Sequence, residues 1–280
     1  MVEFLMREQA PLSASQWEVI DRTVEETARR LLVGRRIIPV YGPVSVGLQA
    51  IPADMLPNID GGVVSLIDRE SAVVSPVVPR QFLPLPIIYR DFVLHWRDIE
   101  ASRQFSIPLD ASAAAVAAAF VAQKEDDLIF NGSADLRLPG LRTVENRTTI
   151  PMRDWSAMGN GFADVRDAIQ RLIAAGFPGP YAVVLSPVLY AHINRVYENT
   201  GVLEIEQIQK LALAGVFQTP VVPEPTALVI SVGAENMDLV IAQDLVTAFL
   251  QVENLNSYFR VLEILTLRIK RPGAVCTVGG

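Results

Sequence analysis

Apolar residues near the start of the chain recur at intervals of three and four positions. The stripe consists of Trp17, Ile20, Val24, Ala28 and Leu31. This spacing predicts an amphipathic helix, because residues so spaced share one helical face. Ser13 or Ser15 can cap the helix, with Gln16 or Glu18 completing a capping box, and Gly34 is expected to end it. The apolar face packs either on the chain's own core or on another molecule lying in a groove.

From Val46 to Pro86 the helical spacing gives way to short alternating runs broken by prolines. Prolines occupy positions 52, 57, 76, 79, 84 and 86, and a Gly61-Gly62 pair lies between them. Proline interrupts a helix, so the segment is predicted to be an extended hairpin or arm. Few of its residues are charged. Such an arm would expose apolar surface to solvent, and we therefore expect it to lie on another surface.

Helices and strands alternate along the rest of the chain. Ile87 to Trp96 is typical of a strand, and an alanine-rich helix is predicted from about Ala111 to Phe130, between a cap at Asp110 and a stop at Gly132. A small α/β unit is predicted between about Pro139 and Val222. The elements of that unit are a helix at 162–175, a strand at 181–186, a helix reaching about 198 and a helix at 203–214. The strands expected after it are 227–232, 237–243, 246–253 and a long alternating strand at 258–270.

The overall composition is that of a subunit that covers part of its surface. The 280 residues are 50% hydrophobic with a mean hydropathy of +0.30, which is high for a soluble monomer. The longest apolar run, Ala111 to Ala122, is too short to cross a bilayer. The single Cys276 excludes an internal disulfide, and the first residues lack the pattern of a signal peptide, so a cytoplasmic location is expected. A net charge of −7 with a pI near 5.0 argues against a nucleic-acid partner.

Motifs of catalysis or metal binding are missing from the sequence. It contains no Walker loop, no dinucleotide fingerprint and no His-Glu-x-x-His. Two histidines far apart exclude a histidine-rich metal centre. The run Glu125-Asp126-Asp127 cannot converge on one ion from a helix, and is interpreted as a solvated or interfacial face. Ser186-Pro187 lacks the glycines of a nucleophile elbow and is interpreted as a helix cap. We therefore predict no catalytic and no metal-ligating residue.

His95 and Trp96 are the remaining candidates for chemistry. On a strand, neighbouring residues point to opposite faces, so the two side chains are not expected to meet one small substrate. His95 is interpreted as a packing or interfacial residue. Trp96 is either a packing anchor or an exposed platform on which a flat ligand stacks.

The order of elements and a series of short matches resemble a known family. The matching residues are Phe4-Leu5, Ala10-Pro11-Leu12, Gln16-Trp17-x-x-Ile20-Asp21, Gly34-Arg35, Tyr41-Gly42-Pro43, Trp96 ahead of Asp98, Glu125-x-x-Leu-Ile-Phe-x-Gly132, Gly140-Leu141, Gly179-Pro180-Tyr181 and Gln243-Asp244-Leu245. Collinear over nearly the whole chain, they resemble the encapsulins, shell proteins of bacterial nanocompartments within the HK97-type capsid fold. The resemblance implies an α+β fold with a P-domain (1–45, 87–138 and 223–280), an E-loop arm (46–86) and an A-domain (139–222).

The same resemblance implies three kinds of site. Cargo C-terminal peptides would bind a groove with the N-terminal helix on one side and a strand of the central domain on the other. The matching positions are Val24, Ala28, Leu31, Leu32, Arg35 and Ile37, facing Asp244, Leu245 and Val246. Pro39 stands where an acidic residue is expected, which leaves the polar part of the contact open. A loop of Glu198, Asn199, Thr200 and Gly201 would form the fivefold pore. In some relatives a tryptophan matching Trp96 stacks a flavin.

The leading hypothesis is therefore a non-catalytic shell protein. The resemblance implies a self-assembling icosahedral homo-oligomer that encloses a ferritin-like iron-oxidising enzyme or a peroxidase, for iron storage or oxidative-stress defence, with no required cofactor. Two alternatives stay open from the sequence: a viral major capsid protein of the same fold, and a flavin-dependent enzyme that uses Trp96. The partners expected are further copies of the chain and a cargo protein, with neither nucleic acid nor membrane.

Overall fold

The computed structural model describes residues 3–56, 63–67, 73–75, 77–105, 107–197 and 201–279. Its helices are α1 (Ala14–Leu31), α2 (Trp96–Phe105), α3 (Ser112–Asn131), α4 (Asn160–Ala174), α5 (Pro187–Ile193) and α6 (Glu204–Leu211). Its strands are β1 (Val40–Tyr41), β2 (Ala50–Met55), β3 (Val77–Pro84), β4 (Ile87–Leu94), β5 (Gly132–Ser133), β6 (Leu138–Pro139), β7 (Thr148–Ile150), β8 (Tyr181–Leu185), β9 (Gly215–Gln218), β10 (Ala227–Ser231), β11 (Met237–Glu253), β12 (Asn256–Ile269) and β13 (Val275–Val278). Short 3₁₀ turns occupy Glu3–Leu5, Arg7–Gln9, Gly34–Arg36 and Pro272–Ala274.

Helix α1 forms where its apolar stripe predicts. Ser13 is the cap: its hydroxyl accepts from the Gln16 backbone N–H at 3.3 Å, and Gln16 Oε1 accepts from the Ser13 N–H at 2.9 Å. The helix ends at Leu31, before the expected Gly34, and its inner face packs against α3. Asp126 fixes the turn that follows by accepting from the N–H groups of Val33 and Gly34. This carboxylate holds the end of α1 against α3.

A sheet of order β1-β11-β12-β4 forms one side of the central body. The two strands expected at 237–243 and 246–253 are one continuous strand, β11, which pairs with β12 throughout. Its register shifts between Ile241 and Val246, so Asp244 and Leu245 lie in a β-bulge. The bulge explains the gap in the predicted pattern, since an extra residue interrupts the alternation without ending the strand.

The core of this body is built around Phe259 of β12. The rings of Trp17, Phe92 and Phe249 lie 5.3 to 5.6 Å from it, centroid to centroid, in stacked and edge-on arrangements. These rings come from α1, β4 and β11, so one aromatic cluster joins the helix to the strands of the sheet.

The predicted strand from Ile87 to Trp96 is wrong at its end. Pairing of β4 with β12 stops at Leu94, and Trp96 begins helix α2 instead of continuing the strand. The hairpin between β11 and β12 turns at Asn254 and Leu255, so β4 has no partner to pair with beyond Leu94. Helix α2 was not predicted from the sequence. Ile99 is its only buried residue among those described, so the helix shows almost no apolar periodicity.

A second sheet, of order β7-β13-β10-β8-β9, forms the inserted α/β unit. Its strands β10 and β13 come from 227–231 and 275–278, outside the expected A-domain range of 139–222. Helix α4 lies close to the range expected at 162–175, whereas α5 and α6 are shorter than the helices expected there. Cys276 of β13 is fully buried, and burial raises the pKa of its thiol to about 12. This agrees with its interpretation as a small apolar residue.

The predicted arm contains the antiparallel pair β2 and β3. Arg80 and Asp54 join the two strands through two hydrogen bonds of 2.7 and 2.8 Å. Phe82 is 66% exposed, and Val64 and Leu66 are fully exposed. The arm thus presents apolar side chains that the subunit itself does not cover.

None of the helices in the described ranges is long and apolar enough to cross a membrane. Across those ranges, no group of three or more His, Cys, Asp or Glu side chains is placed to hold a metal ion.

Candidate functional site

The main candidate site is a groove between helix α1 and the bulge of β11. It encloses about 590 Å³ and combines an apolar floor with a charged rim. The lining residues are Arg7, Asp21, Val24, Glu25, Ala28, Arg29, Leu32, Arg35, Arg36, Asp244, Leu245, Val246 and Thr247. We refer to this cavity as the α1–β11 groove.

Most of the residues predicted for a peptide groove come together here. Those that line it are Val24, Ala28, Leu32, Arg35, Asp244, Leu245 and Val246. Ala28 and Leu32 pack with Ala122 of α3, and half-buried Leu245 lies against them to complete the floor. The bulge explains why Asp244 and Leu245 both reach the groove, because it breaks the alternation that would send them to opposite faces.

Two predicted groove residues lie elsewhere. Leu31, 42% exposed, lines a separate apolar hollow with Phe120 of α3 and Val221. It is one position from Leu32, a rotation of about 100° around the helix, and so it faces a different surface. Ile37 is 4% exposed and packs in the main core, with no contact to the groove cavity.

Arg35 joins the groove to the elements beneath it. Its Nε donates to Glu125 Oε1 of α3 at 2.8 Å, its Nη1 to Asp244 Oδ1 of β11 at 2.5 Å, and its Nη2 to Glu263 Oε2 of β12 at 2.8 Å. Burial lowers the pKa of Arg35, but the hydrogen bond and charge of Glu125 and the charge of Glu263 outweigh it, so the pKa lies above its usual range. Arg35 is therefore a fixed cation that positions the rim residue Asp244.

The two glutamates under Arg35 are fully buried. Sequence reasoning missed Glu263 and placed Glu125 on a solvated or interfacial face, which is wrong. Their second oxygens, Glu125 Oε2 and Glu263 Oε1, have no hydrogen-bond donor within the described residues. Burial, together with the charge and hydrogen bonding of Glu125, raises the pKa of Glu263 well above its ordinary value, although Arg35 opposes the shift. The only sequence signal was a carboxylate in the middle of a long apolar strand.

Charges of both signs surround the mouth of the groove. Arg7 pairs with Asp21 at 2.5 Å, and Arg29 pairs with Glu25 one helical turn away. The Arg29–Glu25 pair is exposed and contributes little to stability, since water screens it. The four side chains leave hydrogen-bond donors and acceptors at the mouth of the groove.

A second, more apolar cavity of about 850 Å³ adjoins the groove along α1. The two cavities share Arg7, Asp21 and Glu25, and the second also includes Leu12 and Trp17. The Arg7 guanidinium, which borders both cavities, lies 3.9 Å from the centre of the Trp17 ring. The surface beside α1 can therefore accommodate an extended segment longer than the first cavity alone.

The predicted pore loop lies mostly outside the described residues, which include only Gly201 of its four positions. Gly201 is exposed with a φ of +69°, a conformation that suits glycine at a loop tip. The stem of the loop is defined. Val196 and Leu203 form a β-bridge, and Arg195 donates to the carbonyls of Trp155 and Ser156. The stem is therefore fastened to the body of the inserted unit.

Trp96 is 42% exposed at the first position of α2. Its backbone N–H donates to Asn256 Oδ1 at 3.3 Å, and the same oxygen lies 3.2 Å from His95 Nδ1. The Arg97 guanidinium lies 5.6 Å from the indole ring centre. Flavin stacking on Trp96 stays a prediction, which the visible absorption spectrum of the purified protein tests.

Solved structures with a similar architecture include a virus-like particle and a phage capsid. A virus-like particle from Pyrococcus furiosus matches with a TM-score of 0.76 at 20% identity, covering 94% of this chain and 98% of that one. The capsid of the myovirid phage XM1 matches with a TM-score of 0.62 at 14% identity, covering 86% and 89%. The chain thus has the HK97-type capsid fold, and its α+β class is confirmed.

Sequence comparison shows which group of capsid-like proteins this chain is similar to. The family described as "Encapsulating protein for peroxidase" matches residues 2–266. The type 1 encapsulin shell protein EncA of Myxococcus xanthus is 47% identical over 280 residues, covering all of this chain and 98% of EncA. A diheme-cytochrome–encapsulin shell fusion protein of Kuenenia stuttgartiensis is 40% identical, covering 95% of this chain and 73% of the fusion. The chain belongs to the encapsulin family and is a nanocompartment shell protein.

Proposed function

We propose that the protein assembles into a closed icosahedral shell and captures a cargo enzyme by binding the enzyme's C-terminal peptide in the α1–β11 groove. The observation that carries the proposal is the groove itself, where residues from distant parts of the chain form one apolar floor with a charged rim. Such a surface suits an extended peptide with apolar side chains and a basic group. Each buried leucine-sized side chain contributes about 1.5–3 kcal/mol. The carboxylates of Asp244 and Glu25 are exposed, and although each pairs with an arginine of the groove, each can accept a further bond from the basic group.

The cargo we propose is a ferritin-like iron-oxidising enzyme or a peroxidase held in the cytoplasm for iron storage or oxidative-stress defence. The description of the matching family and the name of one relative support this class of cargo. The matching family is described as encapsulating a peroxidase, and a ferritin-like–encapsulin shell fusion protein occurs in Pyrococcus furiosus, 22% identical over 199 residues. The shell itself needs neither catalytic residues nor a cofactor for this role.

A pair of leucine substitutions tests the groove. Leu245→Glu places a carboxylate on the groove floor, whereas Leu31→Glu makes the same change at a partly exposed leucine outside it. Each variant is expressed together with the genes adjoining its own in the source genome. Shells are purified, imaged by negative stain and analysed by mass spectrometry. We expect both variants to form shells, with cargo retained by Leu31→Glu and reduced at least about tenfold in Leu245→Glu.

Two results would contradict the proposal. If the protein forms only monomers or small oligomers, the shell assignment fails. If Leu245→Glu shells retain as much cargo as Leu31→Glu shells, the groove is not the cargo site.

A further inference from the structure

Two buried carboxylates meet at Arg35 directly beneath the α1–β11 groove. Arg35 donates to one oxygen of Glu125 on α3 and to one oxygen of Glu263 on β12, and each carboxylate has a second oxygen without a donor in the described ranges. Two buried carboxylates on one guanidinium repel each other unless one of them carries a proton. The arrangement is that of two carboxylates against a single cation, with two unsatisfied oxygens that can hold a proton.

The surrounding charges agree with a bound proton. Arg35 approaches the pair from the turn after α1, and Asp244 of β11 reaches the same guanidinium from the rim. On α3, Asp126 lies next to Glu125 and is turned toward the N–H groups of Val33 and Gly34, and Arg36 is the charge that faces it. With both glutamates ionised, one guanidinium would balance two buried charges and an exposed one. One proton leaves a single buried anion against Arg35, which removes a large desolvation cost.

We propose that Glu125 and Glu263 share one proton and form a latch that holds the α1–β11 groove in its peptide-binding shape. This inference rests on the proposed function for its consequence, although the latch itself is a property of the empty subunit. With the proton in place, Arg35 keeps all three acceptors. When the proton is lost, the repelling pair draws Arg35 inward.

Of the three bonds that Arg35 makes, the bond to Asp244 is the one that breaks first. It is 68% exposed, whereas both glutamates are fully buried, so water competes most strongly for its bond to Arg35. Asp244 Oδ1 also accepts from the Leu245 N–H at 2.8 Å, and this bond helps to set the bulge. Loss of the Arg35–Asp244 bond therefore frees the strand segment that carries Leu245 into the groove floor.

The direction of the pH response follows from Glu263. Burial and Glu125 raise its pKa above the ordinary carboxyl range. Because the pKa of Glu263 is raised in the folded protein, the shared proton is fully bound at low pH. It is lost as the pH rises through the folded pKa, and the latched state is lost with it. The latch should therefore open as the pH rises through the folded pKa of Glu263. Burial raises the pKa of Asp126 to about 6, so its bonds to the turn that carries Arg35 are lost in the opposite direction, as the pH falls.

The substitution Glu263→Gln mimics the latched state at every pH. Its amide oxygen still accepts from Arg35, and its NH₂ group donates to Glu125 without a titrating proton. Hydrogen exchange of the Leu245 amide is measured in assembled empty shells from about pH 5 to about pH 10. We expect the exchange rate of the natural protein, relative to Glu263→Gln, to rise at least about tenfold across this range. An unchanged ratio would overturn the latch.

A second variant and a spectroscopic measurement keep the test valid if Glu263→Gln fails to fold. Glu125→Gln removes the same proton from the other partner and should give the same result. Relative to Glu263→Gln, the natural protein should also show the infrared C=O stretch of a protonated carboxylic acid that disappears as the pH rises through the folded pKa, and its absence would count against a shared proton.

The effect on cargo is tested in loaded shells. A pH-stable fluorescent protein, fused to the C-terminal segment of the protein that co-purifies with natural shells, is co-expressed with the shell protein. Its fluorescence anisotropy distinguishes a tail bound to the wall from a tail free in the interior. We expect the anisotropy to fall as the pH rises in natural shells and to stay constant in Glu263→Gln shells. Constant anisotropy in both would overturn control of binding by the latch, whereas low anisotropy at every pH would overturn the proposed groove function.

Discussion

Arg35 is the residue on which the groove's geometry most depends. Its planar guanidinium reaches three carboxylates from three different elements, a pattern that lysine cannot reproduce because it carries a single ammonium group. The guanidinium thus ties the turn after α1 to α3, β11 and β12 at one point.

Replacing Arg35 should destabilise the subunit strongly. Arg35→Met leaves Glu125 and Glu263 buried without their cation, which is expected to cost about 3–5 kcal/mol. Arg35→Lys should fall between the natural protein and Arg35→Met. The measurement is guanidinium unfolding followed by tryptophan fluorescence. Arg103→Met is the matched control, because its pair with Glu100 is exposed and is expected to be worth about 0–1 kcal/mol. Equal losses in the two methionine variants would contradict this account.

Residue positions in the groove were predictable where local spacing decides them. Ala28 follows from the helical stripe of α1 together with the family resemblance, whereas Leu32 followed from the resemblance alone. Leu31 belonged to the predicted stripe but lies outside the groove, since one helical step turns it to another surface. The buried position of Glu125 depends on its ion pair with Arg35, which is 90 residues away in the chain. No local pattern reveals that pair. The sequence around Glu125 has the polar look of a solvated face, and only the fold shows that it is buried.

At the scale of elements, the clearest local prediction was the capping box of α1. Two serines competed for the cap, and the structure selects Ser13, because its side chain and that of Gln16 satisfy each other's backbone N–H. The bulge of β11 and the start of α2 were not predictable in the same way. Both depend on where a neighbouring strand begins or ends, which is a property of the sheet.

Ser13→Ala should destabilise α1 by about 1 kcal/mol, since it removes the cap while leaving the apolar face intact. Ser15→Ala is the control: its hydroxyl lies 3.0 Å from that of Ser13 on the exposed side and caps nothing in the described contacts. Its effect should stay within about 0.5 kcal/mol. Guanidinium unfolding of both variants provides the comparison, and a larger loss in Ser15→Ala would show that the cap is misassigned.

For the whole molecule, the arm is the feature that a single subunit leaves unexplained. Its exposed Phe82, Val64 and Leu66 make energetic sense only when another surface covers them. Low charge and frequent prolines predicted such an arm from sequence. We propose that another copy of the chain in the shell provides the surface that receives the arm. One chain's pattern could not reveal that surface.

Phe82→Asp should impair assembly while leaving the subunit folded, because Phe82 is 66% exposed in the subunit and contributes little to its core. Phe82→Leu keeps an apolar side chain at the same position and should assemble normally. Size-exclusion chromatography and negative-stain imaging measure the yield of shells, and circular dichroism checks the fold. Full assembly of Phe82→Asp would show that this part of the arm does not contact a neighbour.

The position of β13 in the inserted sheet has a consequence for how the subunit is made. Val275–Val278 lies between β7 and β10, so Thr148 finds its partner Cys276 only when the ribosome has added all the residues in between. Chains fold progressively from their N-terminal side during synthesis, but long-range pairing of this kind must wait. The inserted unit can therefore close only late in translation, and translation sets the earliest moment at which a subunit is ready to join a shell.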